Sequence, residues 1–162
     1  MAYTNEQLAF TFADGQKAKA TNGNKTLYFV TLDNHYRVAY SYGDHYPACV
    51  IVGGYAFFNA AYASATTTQH VSKLRQACLD KGYQCFDVLE QGMKNLAQGA
   101  SPESQYFQIE CMARSRRNEA IRKAPRAKTK SKRDLWTTQI ERYEQEMKLI
   151  DRLFGVGVTK AA

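Results

Sequence analysis

The sequence predicts an α+β protein: an antiparallel β-meander of four or five strands, packed by helices on one face and followed by a helical C-terminal part. Three observations carry this. Apolar and polar residues alternate with a period of two through residues 26–59. Helix start and stop signals stand before and after that region. Beyond residue 101 the apolar spacing is helical throughout.

Residues 4–13 read as a short helix. Thr4 caps it, Gln7 completes a capping box, and Asp14-Gly15 ends it. The stretch that follows, to Lys25, is small and polar, contains an Asn22-Gly23 turn and reads as a loop. The run LYFVTL (residues 27–32) is a strand, Asp33-Asn34 a two-residue turn, and HYRVAYSY (residues 35–42) its partner. In that second strand Tyr36, Val38, Tyr40 and Tyr42 share one face, while His35, Arg37, Ala39 and Ser41 share the other, which predicts a hairpin with one buried face. A Gly43-Asp44 turn leads to PACVIV (residues 47–52), and Gly53-Gly54 turns the chain into YAFFN (residues 55–59). A fifth short strand is placed near residues 62–64.

Helices then take over. Thr66, Thr67 and Thr68 are candidate caps for a helix carrying Val71, Leu74, Cys78 and Leu79, stopped at Lys81-Gly82. Asp87 is expected to cap another, with Val88, Leu89, Met93 and Leu96 on its apolar side and Gly92 weakening it. Ser101-Pro102-Glu103 is a start signal for a helix that buries Tyr106, Ile109, Met112 and Ala113 and runs until Pro125. Asp134 is expected to cap the last helix, where Trp136, Ile140, Tyr143, Met147, Ile150 and Phe154 recur at spacings of four and three, closed by Gly155. That seam fits packing against the preceding helix, and it equally allows a homodimer through helix 135–154. The organisation expected is a core domain over residues 1–100 and a helical part over 101–162 packed on it.

Charge is distributed unevenly. The 162 residues carry a formal net charge of +7. Residues 113–133 hold ten Lys and Arg against one acid, Glu119, so the remainder is close to neutral. Concentrated positive charge points to a polyanionic partner or an acidic protein surface. The ten cations are Arg114, Arg116, Arg117, Arg122, Lys123, Arg126, Lys128, Lys130, Lys132 and Arg133. Before Pro125 they lie on a helix. After it, RAKTKSKR has no apolar position and is expected to be extended, a flexible strand able to follow a phosphate backbone. Arginine suits bidentate phosphate contact. No helix-turn-helix, zinc-finger or RNP-type pattern supplies base readout, so DNA and RNA are not distinguished. A solvated interhelical linker is the bland alternative, and an acidic protein groove meets the same electrostatic demand.

Other chemistry is sparse. Cys49, Cys78, Cys85 and Cys111 are widely spaced, with no CxxC and no Cys/His cluster, so no metal site and a reducing cytosol are expected. No signal-peptide pattern and no run of about 18 apolar residues is present, so no membrane partner is expected. Gly53-Gly54 lacks the Lys-Ser/Thr of a phosphate-binding loop, and no cofactor is implied. His45 or His70 as a general base with Asp44 as orienter is the enzymatic reading; a turn, a strand start and a helix cap account for the same residues, so no catalytic residue is assigned. The tyrosine row of residues 36–42 is able to stack bases, although a core face explains it more economically.

The stretch SYGDHYPACVIVGGYAFFNAAYASATTTQH resembles a domain of uncharacterised bacteriophage proteins, in which an S-Y-G turn, a proline-led strand, an Asn and a T-T-x-x-H helix start follow in order. The resemblance covers about residues 38–79 and brings no activity with it. It implies a phage or prophage origin, hence the host cytoplasm and a host-directed or anti-defence role. The reading as a whole is a non-enzymatic, phage-type accessory protein that binds nucleic acid non-specifically through a cationic arm. The alternative is a protein-interaction module docking on a host or defence protein.

Overall fold

The computed structural model describes residues 2–33, 35–61 and 63–155. The chain divides into two compact units, Met1–Ala100 and Ser101–Ala162.

The first unit is built on a six-stranded sheet in the order β1-β2-β3-β4-β5-β6. Helix α1 (Asn5–Asp14) starts as the sequence predicts: the Thr4 hydroxyl accepts from Gln7 N, and the Gln7 side chain accepts from Thr4 N. Gly15, at φ 76°, closes it. Next comes β1 (Lys19–Thr21), where a loop is expected from sequence. Three small or polar residues carry no periodic signal, and this strand exists because it pairs with the edge of β2. The four expected strands follow: β2 (Leu27–Asp33), β3 (Tyr36–Ser41), β4 (Pro47–Val52) and β5 (Tyr55–Asn59), each antiparallel to the next. Of the expected Asp33-Asn34 turn, Asn34 lies outside the described residues, while the Asp33 carboxylate accepts from His35 N at 2.8 Å. Of the expected strand near 62–64, Tyr62 also lies outside them, and Ser64 is the cap of α2 (Ala65–Asp80) rather than a strand residue.

After α2 the chain enters β6 (Gln84–Val88), which pairs parallel to β5. This corrects Asp87 as a helix cap and Val88 as a helix residue. Asp87 is a strand residue paired with Arg75, and α3 (Glu90–Ala97) begins only after Leu89. A five-residue strand followed at once by a helix offers too few residues for its own period to show.

Helices cover both faces of the sheet, not one. Leu8 and Phe12 of α1 and Leu74 and Cys78 of α2 share a buried cluster with Leu27, Phe29, Ala39, Ile51 and Phe58. The alternate strand residues Val38, Val50, Phe57 and Phe86 are buried as well, and α3, packed on β4 and β5, adds Met93 and Leu96. β3 is thus covered on both sides, and its more deeply enclosed set is Arg37, Ala39 and Ser41 rather than the tyrosines.

Arg37 is the exception to an apolar core. It is 4% exposed, and its guanidinium donates to the Phe12 and Ala13 carbonyls at 2.8 and 3.2 Å and to the Tyr83 hydroxyl. It caps the negative end of α1 from beneath. Gly15 leaves the space for it, since a Cβ there would clash with Nη1.

The second unit is a helical hairpin. Ser101 Oγ accepts from Ser104 N, opening a 3-10 turn (Glu103–Gln105) that runs into α4 (Tyr106–Lys123). Ile109 and Ala113 are buried, with Tyr106 and Met112 half-buried. A 3-10 turn (Ala124–Arg126) containing Pro125 reverses the chain, and α5 (Lys130–Phe154) packs back along α4. Thr129 caps α5 through Lys132 N, so Asp134 lies inside the helix and residues 130–133 are helical where extended chain is expected. Lys and Arg are good helix formers; the lack of apolar positions after Pro125 signals exposure, not extension. The α5 seam faces α4 within the same chain, with Ile150 and Phe154 buried.

Two glycine substitutions separate backbone strain from the Arg37 contact. Gly53→Ala meets no atom within 4 Å, so only its positive φ counts and it should cost about 1–2 kcal/mol. Gly15→Ala adds displacement of a buried guanidinium and should cost at least about 2 kcal/mol more. Urea unfolding midpoints compare the two; equal losses would contradict the Arg37 account.

Candidate functional site

The ten predicted cations fall into different settings along the α4–α5 hairpin. Rungs join the helices at Tyr106–Asp151, Arg117–Glu144 and Lys123–Trp136. The Tyr106 hydroxyl donates to Asp151 at 2.6 Å, and that bond pushes its pKa up to about 12. Arg117 donates to Glu144 from Nε and Nη2, at 3.1 and 2.9 Å. Toward the turn, Lys123 Nζ lies 5.1 Å from the centre of the Trp136 ring and also pairs with Glu119 one turn back.

Arg114 holds Glu110 on its own helix, and Arg116 is half-buried. The bond from Lys123, with Arg122 and Arg116 nearby, lowers the Glu119 carboxyl below its ordinary range. Arg114 and Arg117 are therefore committed to carboxylates along the body of the hairpin.

The apex differs. Residues 122–133 contain seven cations and no acid, and all seven are exposed. Arg133 Nη1 donates to the Ala127 carbonyl at 3.1 Å, which pins the turn. Among the described residues, Arg122, Arg126, Lys128, Lys130, Lys132 and Arg133 make no ion pair. Lys130, Lys132 and Arg133 stand in the first turn of α5, where no acid offsets the positive helix end. The structure thus gathers the later members of the predicted set at one apex and leaves Arg114, Arg116 and Arg117 further down the hairpin.

A second polar constellation lies in the first unit. Ser41, at the end of β3, contacts His70 of α2, with Oγ 2.8 Å from Nδ1. It also lies 3.2 Å from the Thr67 hydroxyl, which in turn is 3.2 Å from that of Ser64. His70 is 0% exposed, and its Nε2 is buried without a hydrogen-bond partner. Asn59 fixes the neighbouring chain, donating to the Pro47 carbonyl and accepting from Ala61 N. Ser41, Asn59, Thr67 and His70, spread over 30 residues of sequence, are thereby assembled at one end of the sheet. No hydrogen bond joins Asp44 to either histidine among the described residues, so the expected orienter is not in place. The sequence signal was the T-T-x-x-H spacing, which puts Thr67 and His70 on one face of a helix; that Ser41 would meet them depended on β3 register.

Two of the cysteines, Cys49 and Cys85, carry little reactivity. All four are free. Burial, with Cys78 beside it, pushes the Cys49 thiol well up, and burial raises Cys85 to about 12, so neither is a thiolate at neutral pH. Among the described residues, no group of three or more His, Cys, Asp or Glu is placed to hold a metal ion, and no helix is long and apolar enough to cross a membrane.

No family model, curated protein or solved structure matches the chain.

His70 sets a pH dependence. Burial, reinforced by the Lys73 ammonium, lowers its pKa in the folded state. The unfolded chain therefore takes up the proton more readily, and stability should fall as pH drops through the unfolded value of about 6.5. Urea midpoints between pH 7.5 and 5.5 should decline for the wild type and stay flatter for His70→Asn; parallel declines would remove His70 as the cause.

Proposed function

We propose that the protein binds nucleic acid through the apex of the α4–α5 hairpin, by its phosphate backbone and without strong sequence preference. The observation that carries this is the acid-free run of residues 122–133, where seven exposed cations gather around the turn between two packed helices and, among the described residues, all but Lys123 make no ion pair. Elsewhere on the hairpin, Arg114 and Arg117 have carboxylate partners. At the apex the like charges repel one another and three of them oppose the α5 dipole. A polyanion relieves both, and each phosphate neutralised releases condensed counterions. Helical backbone fixes the spacing of Lys130, Lys132 and Arg133, so less chain entropy is lost on binding than an extended arm would lose. With the resemblance over residues 38–79, this suits a phage-type accessory factor acting in the host cytoplasm.

An acidic protein surface is the competing partner. Ile121 and Leu135, 41% and 55% exposed, flank the basic run and would favour a partner with apolar as well as negative groups.

Filter binding across salt concentrations tests the proposal. With roughly six phosphate contacts on duplex DNA, the slope of log K against log salt should be about −5. Replacing Arg126, Lys128, Lys130 and Lys132 by Gln should make it shallower by about 3–4 and weaken binding to all sequences alike. Arg114→Gln should leave it nearly unchanged. A flat salt response, or a slope unaffected by the fourfold change, overturns the proposal. Capture of one acidic protein after nuclease treatment, without nucleic-acid affinity, decides for the competing partner.

A further inference from the structure

Beyond binding at the hairpin, we infer that the first unit carries a serine nucleophile: Ser41 Oγ, activated by His70 Nδ1, placed to attack a small ester or comparable acyl group in the cleft at the N-terminus of α2.

Four features assemble there. The first is the pairing itself. Ser41 Oγ and His70 Nδ1 are 2.8 Å apart, within the reach a base needs to take a hydroxyl proton. The second is space. An open cleft of about 430 Å³ is lined by Ser41, Tyr42, His45, Tyr46, Ser64 and Thr67, with Ser41 1% exposed and the His70 imidazole buried behind it. The third is a chain of hydroxyls behind the pair. Ser64 Oγ accepts from Thr67 N and lies 3.2 Å from Thr67 Oγ1, which is also 3.2 Å from Ser41 Oγ. The fourth is backbone strain. Tyr42, next to the nucleophile, is held at φ 57°, where a non-glycine side chain is costly. This conformation turns the chain out of β3 directly after Ser41, and the Tyr42 ring lies 5.9 Å from that of His70.

The chemistry balances as an ordinary two-step ester hydrolysis. As the Ser41 Oγ–carbon bond forms, the hydroxyl proton passes to His70 Nδ1. The bond to the leaving alcohol then breaks, and that alcohol takes the proton from Nδ1. Water attacks the acyl-serine by the same route in reverse, releasing the carboxylic acid and restoring the Ser41 hydroxyl. The 16-residue helix α2 begins beside the cleft and presents its positive end to the oxyanion. Among the described residues no carboxylate contacts His70, so both acylation and deacylation should be slow beside a Ser-His-Asp triad.

The probe is a fluorophosphonate, which forms an Oγ–phosphorus bond and expels fluoride. Native protein and the same protein in urea are treated in parallel, and the modified peptide is located by mass spectrometry. Labelling of Ser41 in the native protein, absent in urea and absent from Ser41→Ala, is the expected result. His70→Asn should slow native labelling at least about 100-fold, the lower range for a lost general base. If the label is absent, lies on another residue, or attaches equally well in urea, the assignment is overturned. Should His70→Asn not fold, the native-against-urea comparison decides alone.

Discussion

A single buried cation governs how the first unit closes. Arg37 comes from the second of the expected strands, on the face that alternation assigns opposite the tyrosines, and it lies beneath the last turn of α1. Among the described residues no carboxylate pairs with it. Its charge is met by two main-chain carbonyls, a phenol and the negative end of a helix dipole. That solution needs α1 to stop where it does, Gly15 to carry no side chain, and Tyr83, just ahead of β6, to reach back across the unit. One guanidinium therefore couples the N-terminal helix, the centre of the sheet and the strand that completes it. Removing either the cation or its acceptors would strand polar groups in the core.

The hairpin manages positive charge in the opposite way. Along its body, Arg114 and Lys123 are set against Glu110 and Glu119 on α4 itself, and Arg117 reaches across to Glu144 of α5. At the apex this pairing stops. Surface ion pairs add little stability, so the distinction matters less for folding than for what remains available to a partner.

Much of the architecture was legible in the sequence because local chemistry and tertiary demand agreed. The capping box at Thr4 and Gln7, the Gly15 stop and the four central strands all follow from signals a few residues long. What escaped was set by partners elsewhere. The short strands β1 and β6 exist through pairing, with little period of their own. Asp134 looked like the cap of α5 because its composition fits, yet Thr129 serves, five residues earlier, and the lysines between are helical. The basic residues were visible as a set; their division into paired and unpaired groups depended on where Glu110 and Glu144 fall around the helices. For the Ser41–His70 contact the residue types were visible, whereas the register that joins them was not.

The parallel pairing of β6 has a kinetic corollary. The antiparallel strands β2 to β5 are linked by short turns and can zip in sequence order. β6 must wait until the chain has passed through all of α2 and returned alongside β5, which closes a longer loop before any contact compensates its entropy. An early ensemble with the meander formed and β6 unattached would expose the edge of β5, a template for pairing between chains. Concentration during refolding, rather than temperature, is then the variable to which the first unit should be most sensitive.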